Sequence, residues 1–211
     1  MKKIVIATVI AVCFAASSGQ VLADVTTYTD EAAFKSALTV FTTYDFDSFV
    51  LDDGFIFGAT PYKDLDLQIA GIDFDNSIVM PDGNGGGVKS LPNVVLNKDM
   101  TNPIVFTFST PVAAVGLNNT SLVDAETFEI FDSADNLLAS VYLPDAIINF
   151  GGFTSTVGIA KGVVTPAEPT NGSIYIDDLT VGAPIPVPSA ALLGAMGLGM
   201  VGWMKRRKSE A

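Results

Sequence analysis

The sequence predicts an all-β protein: an antiparallel β-sandwich or jelly roll with one short N-terminal helix, set between an N-terminal signal helix and a C-terminal transmembrane helix. Three observations predict it. Short runs of β-branched and aromatic residues alternate polar and apolar with period two. Gly, Pro, Asn and Asp interrupt those runs roughly every dozen residues. The two ends of the 211-residue chain differ in composition from its middle.

Met1-Lys2-Lys3 is a basic start, 4–16 a short apolar run, and Val21-Leu22-Ala23 a small-residue cleavage pattern before Asp24. That three-part plan is a secretory signal peptide over 1–23, cut between Ala23 and Asp24. The apolar run is too short for a membrane anchor. A helix is expected over 30–38: Thr29 or Asp30 can cap it, Asp30 and Glu31 suit its positive end, and Ala32, Phe34 and Ala37 form an apolar side.

Strands are expected over 41–45, 65–69, 72–75, 94–96, 104–109, 112–117, 127–131, 137–142, 147–153, 159–165 and 173–181. Ile104, Phe106 and Phe108 fall on one side of their strand, and Val105, Thr107 and Ser109 on the other. Phe128, Ile130 and Asp132 alternate less cleanly with Thr127, Glu129 and Phe131. Asp132-Ser133-Ala134-Asp135-Asn136 has hairpin-turn composition. These elements form one extracytoplasmic domain over 24–182.

Residues 183–189 are a Pro-rich extended spacer. Ala190 to Met204 runs without a charge, and 205–211 is a basic tail containing Lys205, Arg206, Arg207 and Lys208. A helix over 190–204 spans about 22 Å, short of a hydrocarbon core of ~30 Å, and Trp203 and the snorkelling cations make up part of the difference. The basic cluster favours the cytoplasmic side, which puts 24–182 outside.

Charge excludes several functions. Residues 24–182 hold 22 acids, 18 of them Asp, against five lysines and no arginine, a net −17. Such a body repels phosphate backbones, so nucleic acid is not a partner. With the signal removed, no cysteine (Cys13 is the only one) and no histidine remains. Disulfides, thiolate-bound metals, histidine bases and Ser-His-Asp triads are therefore excluded. Paired carboxylates can hydrolyse glycosides, but among 22 acids some pair meets the separation by chance. The chain is read as non-catalytic. In Pro81-Asp82-Gly83-Asn84-Gly85-Gly86-Gly87, Gly86 replaces the third oxygen ligand of a calcium loop and Asn93 stands where a bidentate Glu is needed, so this is read as a flexible loop.

The block Pro186-Val187-Pro188-Ser189-Ala190-Ala191, the Gly-rich apolar helix and the terminal cations resemble the PEP-CTERM sorting signal, in its Val-Pro-x-Pro-Ala-type variant. Val187 stands where the name-giving Glu usually sits. The resemblance implies a substrate of exosortase in a Gram-negative bacterium. Such a protein is held briefly in the inner membrane and then released to the cell surface or extracellular matrix, with exopolysaccharide as an associated partner. Gly194, Gly197, Gly199 and Gly202 weaken the tail helix, as access by an intramembrane enzyme requires.

The body also resembles the β-sandwich ectodomains of that family, through Gly71-Ile72-Asp73-Phe74, the run from Phe106 to Leu117 and Phe150-Gly151-Gly152-Phe153. Its ending, Ile174-Tyr175-Ile176-Asp177-Asp178-Leu179, is similar to that of carbohydrate-binding jelly rolls. That similarity implies a calcium held by Asp177 with Asp45 and Asp47. As an alternative function it implies a calcium-assisted carbohydrate-binding module, with Tyr62, Tyr142 or Tyr175 stacking on sugars.

Overall fold

A computed structural model describes residues 24–56, 60–65, 69–81, 89–121, 124–145, 148–167 and 172–185. The expected signal peptide up to Ala23, the loop 82–87, and the tail with Pro186, Val187, Pro188, Ser189, Lys205, Arg206, Arg207 and Lys208 lie outside them. No helix among the described residues is long and apolar enough to cross a membrane.

The described chain is all-β and antiparallel apart from one helix, α1 (Glu31–Ser36). Its strands are β1 (Val25–Tyr28), β2 (Leu38–Tyr44), β3 (Gly54–Ile56), β4 (Thr60–Asp64), β5 (Ile72–Asp75), β6 (Ser77–Pro81), β7 (Asn93–Asn97), β8 (Ile104–Asn119), β9 (Glu126–Phe131), β10 (Leu137–Leu143), β11 (Asn149–Pro166) and β12 (Tyr175–Pro184).

Two long strands organise the rest. The first half of β8 pairs with the second half of β11 (Phe106 opposite Gly162), and the second half of β8 with the first half of β11 (Leu117 opposite Gly151). The ladder slips between Thr154 and Lys161. The first half of β8 also carries β5, and the second half of β11 carries β9, which carries β10. At the other end β11 takes β1 and β8 takes β12, and β12 pairs with β7 and then β2. β7, β6, β4 and β3 follow as consecutive neighbours.

The strands expected over 104–109 and 112–117 are therefore halves of β8, and those over 147–153 and 159–165 are halves of β11. Pro111 has no N–H for a ladder, but it lies where the register slips, close against Gly158, so it bends the strand without ending it.

Alternation sets the core. Ile104, Phe106 and Phe108 are buried, as are Phe128 and Ile130. Half-buried Phe131 lies on the other face under the Lys161 ammonium, 4.6 Å from its ring centroid. An aromatic spine runs Phe46–Phe74–Phe106–Phe128–Phe153, with successive centroids 5.1 to 6.0 Å apart. A second cluster holds α1 down: Phe34 packs on Tyr28 and Phe150, and Gly116 and Gly152 leave the space Phe150 fills. The Asp132 carboxylate closes the hairpin expected over 132–136, accepting from the Ala134 and Asn136 N–H groups.

Other expectations need correcting. The helix expected over 30–38 begins as predicted, with Asp30 Oδ1 accepting from the Ala33 N–H at 2.7 Å. It ends at Ser36, because Leu38 opens a β-branched run (Thr39, Val40, Thr42, Thr43) that is stiff at χ1 and becomes β2. A strand over 65–69 is not found at its described ends: Leu65 follows β4, and Ile69 makes an isolated bridge with Ile72. β12 runs to Pro184, past the expected boundary at Gly182, because β2 offers Ala183 and Pro184 a pairing edge.

Candidate functional site

The sequence directs attention to the closing strand, where β12 carries a bulge. Its register against β8 slips between Asp177 and Thr180, and Asp178 takes a left-handed φ of 51°. The bulge gathers both carboxylates over the segment 89–93. Asp177, fully buried, accepts at Oδ2 from the backbone N–H groups of Lys89 (3.0 Å) and Ser90 (2.9 Å), and at Oδ1 from that of Asp178 (2.8 Å). The Ser90 hydroxyl lies within 3.3 to 3.4 Å of both side chains.

Burial pushes the Asp177 carboxyl up to about 6, the charge of Asp178 adds to the rise, and the N–H donors work against it. Burial also raises Asp178, with the charge of Glu31 next. Lys89 returns across the segment to Glu31 of α1 at 2.9 Å. Burial opposes ionisation of Glu31, but the hydrogen bonds of Lys35 and Lys89 outweigh it and its carboxyl lies below the usual range. Helix, segment and closing strand form one electrostatic chain.

The far end of the same segment is held by the loop after β2. Asp47 Oδ1 accepts from the Asn93 N–H at 3.0 Å, and Asn93 Nδ2 donates to the carbonyls of Phe46, Asp47 and Phe49. Asp45 is exposed and caps its own turn, accepting from the Asp47 N–H.

The implied calcium ligands are therefore distributed along one segment and not gathered. Asp177 grips its start, Asp47 its end, and Asp45 faces solvent. Among the described residues no three Asp, Glu, His or Cys side chains converge as a metal would need. The Asp177 oxygens meet peptide N–H groups, whose dipoles favour an anion and oppose a cation. Of the tyrosines considered for sugar stacking, Tyr175 is buried, Tyr62 half-buried and Tyr142 exposed.

Replacing Asp177 by Asn isolates the role of the carboxylate. The amide never ionises, so the variant is expected to lack the fall of about 3 kcal/mol that wild type shows in urea unfolding between pH 3.8 and about 6, and an equal fall in both proteins would show that Asp177 is not the titrating group. Because the folded-state value lies above 3.8, the contribution of Asp177 to stability is fully present below that pH and falls as pH rises through about 6.

A second polar cluster escaped the reading of the sequence. Glu126 is fully buried at the start of β9, with Oε2 accepting a hydrogen bond from Asn119 Nδ2. Its Oε1 and the Nδ2 of Asn118, on β8, have no hydrogen-bond partner among the described residues. Burial, then the charge of Asp124, pushes its carboxyl up to about 9, so it is protonated at neutral pH. The sequence did contain the signal: Glu126 shares the parity of Phe128 and Ile130, the buried face of β9.

Elsewhere, Asp24, Thr26, Thr154, Ser155, Thr156, Pro184 and Ile185 line an open cavity of about 300 Å³. The Asp24 N–H donates to Thr156 Oγ1 and the Ile185 N–H to the Ala37 carbonyl. The two ends of the described chain thus meet. Compared with known protein families and with curated proteins, the chain matches none.

Proposed function

We propose that this chain is a non-catalytic, exported cell-surface or matrix protein, sorted by exosortase through its C-terminal signal and associated with exopolysaccharide. On this reading the all-β body is a sandwich whose two layers share β8 and β11. The carrying observation is the meeting of Asp24 and Ile185 at one cavity. A domain leaving a membrane with an apolar segment at each end can keep both in the bilayer only if its ends lie on one side. Charge supports the same orientation: the body is net −17, and every other basic residue lies in 2–3 or 205–208. A calcium-assisted carbohydrate-binding role needs Asp177 and Asp47, the carboxylates that grip the Lys89–Asn93 segment, to exchange N–H donors for a cation.

Intact mass spectrometry of the protein from its native host tests the proposal. The expected product begins at Asp24 and lacks Trp203 and the cations after it. A mass that includes residues 1–23, or that retains Lys205 to Lys208, overturns it.

A further inference from the structure

Sheet edges carry unpaired N–H and C=O groups, and folded proteins guard them with charge, proline, bulges or brevity. Most edges here are guarded. β3 has three residues, β1 four, β5 exposes Asp73 and Asp75, and β10 slips its register after Leu137. β2 has no charge, proline or brevity to guard it, and its ladder slips only at Thr39, leaving Val40 to Tyr44 regular. Among the described residues it pairs with β12 alone, in unbroken register from Tyr44 to Val40. Thr39, Val40, Phe41 and Thr42 are all exposed, Val40 at 67% and Phe41 at 44%. Leu38-Thr39-Val40-Phe41-Thr42-Thr43-Tyr44 holds no charge, Gly or Pro, in a body of net −17. Lys35, over the Phe41 ring, is already paired with Glu31.

We propose that β2 is the docking edge for a second copy of this chain, the two β2 strands pairing antiparallel about Phe41. The strand is complementary to itself. In that register Phe41 meets Phe41, Val40 meets Thr42, Thr39 meets Thr43 and Leu38 meets Tyr44. Every cross-strand pair is aromatic, β-branched or apolar, and none opposes like charges. The contact is isologous and closes as a two-fold dimer. Two bodies of equal negative charge repel elsewhere, so salt strengthens the dimer by screening, whereas a cationic partner would be released by salt. The inference does not depend on how the protein is sorted.

The test uses the full chain in detergent. Sedimentation velocity is expected to give a dimer whose population rises between low and high salt. Thr42→Lys, which puts a charge into the pairing edge, weakens association at least tenfold. With Cys13→Ser removing the native thiol, Phe41→Cys gives a disulfide-linked dimer on mild oxidation and Ser133→Cys, in an exposed turn, does not. A monomeric wild type, or a Thr42→Lys chain that associates as tightly as wild type, overturns the proposal. Should Thr42→Lys lose its β-sheet circular dichroism, the cysteine pair decides: equal cross-linking at both positions, or at neither, also overturns it.

Discussion

Glu126→Gln is expected to make the protein more stable than wild type at pH 8.5 and to remove most of the pH dependence between 6.5 and 8.5. The wild-type carboxyl is buried and stays protonated up to about 9, whereas in the unfolded chain it ionises near 4.5. The folded state therefore binds one more proton across that whole window. The contribution of Glu126 is full below 4.5 and falls by about 1.4 kcal/mol per pH unit as pH rises towards the folded value. From 6.5 to 8.5 that amounts to roughly 3 kcal/mol. The window lies above the value of about 6 for Asp177, so the two buried acids separate. Gln has the shape of the protonated acid, can still accept from Asn119, and never ionises. Urea titrations of both proteins at the two pH values measure the effect. Parallel losses in wild type and variant would show that Glu126 is not the protonated group.

Gly162→Ala is expected to destabilise by about 3 kcal/mol, the upper part of the range for overpacking a core. Gly162 stands between Phe106 of β8 and Ile130 of β9. A methyl there would collide with the Phe106 ring, which is held by Phe74, Phe108 and Phe128 and cannot turn away. The cause is space and not backbone conformation, so a smaller neighbour should relieve it. Phe106→Leu alone leaves a cavity and is also destabilising. The double variant should retain at least about 1 kcal/mol more than the sum of the two losses predicts. Thermal or urea unfolding of the four proteins completes the cycle, and strict additivity would rule out the collision as the cause.

What could be read without coordinates followed the range of the interactions. The all-β class, the burial of Ile104, Phe106 and Phe108, the Asp30 cap and the 132–136 turn depend on neighbours in sequence, and local patterning contained them. The union of paired strands into β8 and β11 was hidden because Pro111 reads as a stop until Gly158 is seen beside it. β6 was missed because Ser77–Pro81 is buried on both faces and shows no alternation. At the candidate site Asp177 and Asp47 were singled out, but their partners were not. Lys89, Ser90 and Asn93 contribute mainly backbone N–H groups, which any residue type supplies, so their identities carry no mark of the role. Glu126 was legible by parity and passed over as one acid among many.

The pairing of β12 with β2 has a consequence for the order of assembly. Thr43 meets Thr180 across 137 residues, Thr39 meets Ala183 across 144, and Asp24 meets Thr156 across 132. Contacts so distant along the chain reward the polypeptide late, and folds dominated by them form slowly. A chain that emerges from its amino end would expose β2, β7 and the flank of β8 as open seams until β12 emerged. The sheet is closed by the ten residues of β12, and a chain stalled before Tyr175 would remain an unsealed, adhesive intermediate.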